Sequence, residues 1–389
     1  MMRTSQRGMT LIELMVAMAI ALVVTLVVST LLVAGENHKR TTTSTNDAEQ
    51  TGSYAFYALD RALRGAGSAF VESAYPADRG VLGCKLNAAQ ILPRTTPFPA
   101  PFATAFLAGS TNNLRVAPVL IAKSQSDGGS DVLVVMGGSG AAGGVSRALN
   151  GAGNSTSLIL ENTVGFAVND VALVSQSGVT DCLLEEVASV STPTLNVGGT
   201  TYYTENGSAT DLATLSSSLS TYVTPLGNAQ TNTVQFQLFG VGTDDTLYSY
   251  DLLQNQLKVQ GTGADTSQAV ADGVIQMNAI YGIQTTANPG VLSAWAGPGD
   301  AGYDINTVMT TPATMESIIA VRVALVVRGE YYDKNVVSPA TLTIFSGYAN
   351  GTGTSLSQVI NLNAAAQHYR YRVFEFMVPL RNMLLLAGA

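Results

Sequence analysis

Hydrophobic positions follow two regimes along the chain. From Met9 to Ala34 almost every position is apolar, and residues 14–34 form 21 consecutive positions without a charge. At 1.5 Å per residue this run spans about 30 Å, the thickness of a bilayer's hydrocarbon core. It is too long for the apolar segment of an ordinary secretory signal, and no small-x-small cleavage site follows it. No proline occurs before Pro76. From Asp47 the spacing of Ala48, Thr51, Ala55, Ala58, Leu59, Ala62 and Leu63 predicts an amphipathic helix face. Asp60 and Arg64 suit an i,i+4 ion pair, and Gly65 and Gly67 suit a helix stop. The β-branched and polar run 41–46 is the weakest section. If the helix is continuous, 9–64 makes a rod of roughly 84 Å whose second half lays its apolar stripe on the rest of the protein.

After Ser68 the period shifts towards two. Strands are predicted over 131–136, 157–161, 170–175, 234–239, 246–251, 275–283, 319–328, 341–345 and 371–378. Each is short, rich in aliphatic or aromatic residues, and bounded by Gly, Asn, Asp or Ser. Residues 137–153 and 197–224 are rich in Gly, Ser and Thr and read as long surface loops. Neither a second amphipathic helix nor an internal repeat stands out. The expected fold class is α+β: a long N-terminal hydrophobic and amphipathic helix on a large antiparallel β-rich head, with segments 9–34, 35–65 and 66–389.

Composition changes this picture little. The 389 residues are 46% hydrophobic, enough for a folded core, and only 12% charged. A net charge of −8, with no basic run longer than Lys39-Arg40, argues against nucleic-acid binding. Two cysteines and two histidines leave little for a His/Cys metal centre. Cys84 and Cys182 read as one disulfide or as two buried thiols. A bridge would close a loop near 100 residues, worth up to about 4–5 kcal/mol. Gly138–Gly143 fits G-x-G-x-x-G after a strand, but the sequence that follows is too short and glycine-broken for a dinucleotide-binding helix. His368 lies near no nucleophile setting. Asp244-Asp245 and Asp300 with Asp304 lack EF-hand spacing and read as turn acids. Trp295 suits either a contact or a packing role. No catalytic constellation and no cofactor are expected.

Glu13 does not suit a plain membrane anchor, because a carboxylate inside an apolar run is costly and needs a partner. Its surroundings, Arg7-Gly8-Met9-Thr10-Leu11-Ile12-Glu13-Leu14 after the basic leader MMRTSQRG, closely resemble the prepilin processing motif. The resemblance implies that residues 1–8 are a leader peptide and that a prepilin peptidase cleaves between Gly8 and Met9. It implies N-methylation of Met9, and Glu13 as the acidic residue that serves filament assembly. Physically, the cationic Met9 amine of one subunit and Glu13 of its neighbour would neutralise each other in an apolar filament core. Met9 departs from the more common Phe. Arg3 and Arg7 favour a cytoplasmic N-terminus, although Lys39 and Arg40 flank the other end.

Further along, Tyr54-Ala55-Phe56-Tyr57-Ala58-Leu59-Asp60 leading to Arg64-Gly65-Ala66-Gly67 resembles the helix end of PilW-type minor pilins. Looser likenesses follow in order: Gly129-Ser130-Asp131-Val132, Ala271-Asp272-Gly273-Val274 with Ile280-Tyr281-Gly282, the strand 318–328, and Tyr371-Arg372-Val373-Phe374 with Val378-Pro379-Leu380-Arg381-Asn382. Major pilins differ in their disulfide position and often carry a proline at the position of Thr30. The resemblance implies a minor type IV pilin that helps to initiate or cap pilus assembly and is not an enzyme. Its implied partners are the prepilin peptidase, the major pilin and other minor pilins, and the inner-membrane assembly platform. The implied location is the inner membrane, N-terminus in the cytoplasm and head in the periplasm, then the pilus at or near its tip. The alternatives are a minor pseudopilin of type II secretion and a tip adhesin or binding module.

Overall fold

The computed structural model describes residues 9–70, 81–87, 98–102, 114–138, 144–198, 211–228, 234–253 and 267–387. Helix α1 (Leu11–Gly65) is unbroken through the run 41–46. There Thr42 donates its hydroxyl to the His38 carbonyl (3.0 Å), so a residue of weak helix propensity bonds back into the helix. Buried positions begin at Ser44 and recur at Ala48, Gly52, Ala55, Leu59 and Ala62. This stripe is made almost wholly of small residues, which lets the sheet beneath approach the helix axis. The ring of Phe374 lies where a Cβ on Gly52 would be, and Ser44 lies where one on Gly329 would be.

The strands begin with β1 (Lys85–Asn87), β2 (Val119–Ala122), β3 (Val132–Gly137), β4 (Arg147–Asn154), β5 (Ser157–Leu160), β6 (Asp170–Gln176), β7 (Asp181–Ser191) and β8 (Thr194–Val197). Helix α2 (Leu212–Ser216) precedes β9 (Thr221–Asn228), β10 (Gln235–Val241), β11 (Thr246–Asp251), β12 (Gln268–Asp272), β13 (Val274–Ile283) and β14 (Ala294–Ala296). Then come α3 (Ile305–Thr310), α4 (Pro312–Ser317), β15 (Ile318–Arg328), β16 (Thr341–Ile344), β17 (Gln358–Asn361), β18 (Tyr371–Pro379) and α5 (Arg381–Ala387). They form a seven-stranded sheet β1-β7-β6-β9-β4-β5-β8, a five-stranded sheet β12-β11-β10-β3-β2, a four-stranded sheet β14-β13-β15-β18 and the ribbon β16-β17. All pairings are antiparallel except β1 with β7. The fold class is α+β, as the sequence predicts.

The four-stranded sheet and the β12 edge carry α1. β15 is buried on both faces: Val321, Val323, Leu325 and Val327 enter the main core, whereas Ala324 and Val326 join Ile344, Phe345 and Leu356 under the ribbon. Such a strand reads as a continuous apolar run rather than an alternation. The seven-stranded sheet has a core of its own. Val171, Leu173 and Leu184 face the main core, whereas Ala172, Val174, Leu183 and Val187 face a second cluster with Leu212 and Leu215 of α2. The Cys84–Cys182 disulfide, with Cα atoms 5.7 Å apart, ties the residue before β1 to β7 where this sheet meets the main core.

All nine predicted strands are present, within one or two residues of their expected ends. Two of the expected loops are corrected. Residues 137–153 contain most of β4, and 197–224 contain α2 and half of β9. Among the described residues, four short helices also stand where no second helix was expected; at five to seven residues each they are too short to show a period.

A polar seam joins the five- and four-stranded sheets. Asp131 accepts from the amides of Ser124 (2.9 Å) and Ala279 (3.0 Å), and its own amide donates to the Met277 carbonyl. Ser130 Oγ accepts from Met277 N, and the wholly buried Tyr281 hydroxyl accepts from Ile121 N (2.6 Å). Burial pushes the Asp131 carboxyl up to about 6, against the pull of these donors and of Lys123. The folded chain therefore keeps this proton to about pH 6, whereas an unfolded aspartate releases it near 3.8. Between those values the unfolded state binds fewer protons, so stability falls as pH rises, by about 3 kcal/mol in all. In thermal denaturation of the detergent-solubilised chain, the stability difference between parent and Asp131→Asn should shift by most of that amount, about 2 kcal/mol, between pH 4 and pH 7, against the parent. A difference independent of pH contradicts the assignment.

Candidate functional site

The N-terminal third of α1 is set up by its first turn. Thr10 is the N-cap: its Oγ1 accepts from Glu13 N (3.3 Å), and Glu13 Oε2 accepts from Thr10 N and Thr10 Oγ1 (3.0 Å each). This reciprocal capping box satisfies two amides that a helix start leaves unpaired. Thr-x-x-Glu at 10–13 is its signal in the sequence, masked there by the stronger meaning of the acid in an apolar run. Beyond it the apolar side chains point away from the protein: Met9 is 70% exposed, Leu11 76% and Ile12 72%. Thr25 and Thr30 return their hydroxyls to the carbonyls of Ala21 and Val27, both at 2.8 Å, so the surface they present is apolar. Helix α1 is long and apolar enough to cross a membrane. Met9 and Glu13 share the exposed end of this helix; Gly8 and the other residues before Met9, where a leader is expected, lie outside the described residues.

The second half of the helix is held by the sequence's other distinctive segments. Phe56 meets Phe376 edge-on with ring centroids 4.4 Å apart. Arg372 pairs with Glu49 at 2.9 Å, and Gln235 Nε2 donates to the Ala62 carbonyl (3.1 Å). Arg64 pairs with Asp60 at 2.6 Å, as the i,i+4 spacing predicts. At the helix end Asn382 Nδ2 donates to the Ala66 carbonyl (2.8 Å), and Gly67 N donates to the Met136 carbonyl. A Cβ on Gly137 would lie 2.5 Å from the Gly65 carbonyl oxygen, so glycine there lets the strand end touch the helix end. The Arg-Gly-Ala-Gly and Leu-Arg-Asn segments, far apart in sequence, thus meet at one junction.

The remaining candidate residues have structural partners. Asp244 accepts from the Tyr248 hydroxyl (2.5 Å), which raises that phenol above its ordinary range, and Asp245 pairs with Arg328 (2.8 Å). Asp300 accepts from Gly297 N and Asn350 Nδ2. Asp304 caps α3, and its bond from Thr307 holds the carboxyl below the usual range. His368 ends a 3₁₀ turn, stacks on Tyr332 and places Nδ1 2.9 Å from the Asp333 carbonyl. Trp295 packs edge-on against Tyr348, whose ring also carries the Arg322 guanidinium, itself paired with Glu375. Gly138 hydrogen-bonds Ser68, while the rest of that glycine-rich motif, 139–143, lies outside the described residues. Among the described residues no group of three or more His, Cys, Asp or Glu is arranged to hold a metal ion.

Residues 3–29 match the prokaryotic N-terminal methylation motif. A capped, exposed, apolar helix under that motif, carried on an antiparallel sheet, defines a type IV pilus-related pilin, with a helix fit for membrane anchoring. Residues 238–382, from within β10 to the start of α5, match the family described as Type IV Pilus-assembly protein W, so the pilin that this head resembles is PilW. No curated protein and no solved structure matches the chain.

Proposed function

We propose that this chain is a minor type IV pilin of the PilW type, a structural subunit that helps to initiate or cap pilus assembly and catalyses no reaction. One observation carries the reading. The methylation motif opens a helix whose apolar half has no cover within its own fold, while the other half is docked on the PilW-matching sheet. Such a helix needs lipid first and other helices afterwards. In this reading residues 1–8 are the leader, 9–34 the membrane and filament-core segment, 35–65 the docked helix half, and 66–389 the head. Prepilin peptidase cuts between Gly8 and Met9 and methylates Met9. The head waits in the periplasm, anchored in the inner membrane with the N-terminus in the cytoplasm, and then enters the pilus at or near its tip. Major and minor pilins and the assembly platform are its partners, and Glu13 neutralises the Met9 amine of a neighbour.

Intact mass is the direct test. In a host with an active prepilin peptidase the protein should begin at Met9 and carry one methyl group. Retention of residues 1–8 in that host overturns the reading.

A further inference from the structure

The uncharged run ends at Gly35, and the head reaches back to that level. Residues 329–337 run along α1, and Tyr331–Asn335 with Arg370 line an open cavity of about 540 Å³ whose helix wall runs from Val33 and Ala34 to Ser44. The loop is firmly built. Arg370 bridges Asp333 (3.0 Å) and the Thr41 hydroxyl (3.3 Å). Asp333 N donates to the His368 carbonyl, and Val337 N to the Gln367 carbonyl. Tyr332 is clamped between His368 and Tyr369. Yet its outward side is apolar and wet: Tyr331 is 40% exposed, Tyr332 53% and Val336 61%. Exposed tyrosines beside the end of an apolar span suit the headgroup level of a bilayer.

Charge points the same way. Arg40, Lys334 and Arg370 line the cavity with Asp333 as its one acid, while Lys39, Glu36 and Glu330 lie outside the lining, a local cationic excess in a chain of net charge −8. Glu36 reaches Arg40 only at 3.8 Å, and Asp333 is taken by Arg370. Lys39 and Lys334 are exposed.

We propose that residues 329–337 of the head, together with 38–40 of α1, form a docking surface for anionic phospholipid headgroups. The tyrosines and Val336 enter the interface, and the lysines and Arg40 meet the phosphates. The surface holds the head against the bilayer before the subunit leaves for the filament. This rests on reading α1 as a membrane span, and the test separates the two.

Both native cysteines are bridged, so Val336→Cys offers one labelling site for an environment-sensitive dye on the full-length chain. The labelled chain is reconstituted in nanodiscs of phosphatidylcholine alone or with phosphatidylglycerol, each containing headgroup-spin-labelled lipid. Quenching at 336 should be several-fold stronger with phosphatidylglycerol. It should fall to the phosphatidylcholine level in the Arg40→Ala, Lys334→Ala double variant and at high salt. Equal quenching in the two lipids overturns the proposal, as does quenching that the double variant leaves unchanged. A second chain labelled through Val24→Cys should be quenched by acyl-chain spin labels in both discs. If it is not, the membrane-span reading fails, and the docking surface with it.

Discussion

Glu13→Gln should leave the head folded and the helix capped but exclude the subunit from pili. The substitution separates two roles of one side chain. As the fourth member of Thr10-Leu11-Ile12-Glu13 it closes the capping box, and glutamine does this equally well. As an anion it is proposed to neutralise the Met9 amine of a neighbour, which glutamine cannot do. Leaving one charge of a buried pair alone costs about 3–5 kcal/mol, a factor of roughly a hundred to several thousand in occupancy. Thr10→Ala makes the opposite cut: it removes the cap, worth about 1 kcal/mol, and keeps the charge. Quantifying both variants in sheared pili, against their levels in membranes, should show Thr10→Ala incorporated and Glu13→Gln absent. Glu13→Gln pili at the parental level would falsify the pairing.

Removing the disulfide should have the largest effect on the head itself. Cys84 and Cys182 are 98 positions apart and buried, and they tie the chain before β1 to β7 at the edge of the main core. Releasing a loop of that length gives the unfolded chain about 4–5 kcal/mol of conformational freedom. A Cys84→Ser, Cys182→Ser chain should therefore unfold at markedly lower denaturant concentration than the oxidised parent, and the reduced parent should behave like it. The partial parallel pairing of β1 with β7 depends on the same tie, since β1 offers only Lys85, Leu86 and Asn87. Hydrogen exchange should show these amides losing protection first.

Where burial left a simple trace, the sequence was legible. Ile318–Arg328 and Val132–Gly137 are apolar runs because both faces are covered, and they read as strands without ambiguity. The helix face from Ala48 to Leu63 was legible because its spacing is regular, although Gly52 and Ser44, the closest approaches, were invisible as small residues. Three of the strands that escaped notice violate local rules. β4 carries Gly151 and Gly153 and breaks register twice, and β9 contains Pro225 and Gly227. β7 buries Glu185 and Glu186, which interrupt its apolar pattern. Of the candidate site, Gly8, Met9 and Glu13 are expectations from the motif, and only the Thr10–Glu13 capping box is visible in the structure. The Asn382 cap on Ala66 and the Arg370–Thr41 contact were not legible in the sequence, because each joins residues more than 300 positions apart and no local period encodes them.

β3 and β10 are adjacent antiparallel strands, with Gly137 opposite Gln235. Topologically they are one hairpin, and residues 138–234 occupy the place of its turn. Closing so long an excursion costs about 3 kcal/mol more than closing a tight turn of three or four residues. An excursion that has already folded on a core of its own delivers its two ends side by side, and that entropic difference disappears. The six strands β4–β9 are thus a guest at a hairpin tip, extended by β1 from outside the excursion, and their outer surface can change while the helix-bearing sheet keeps its register.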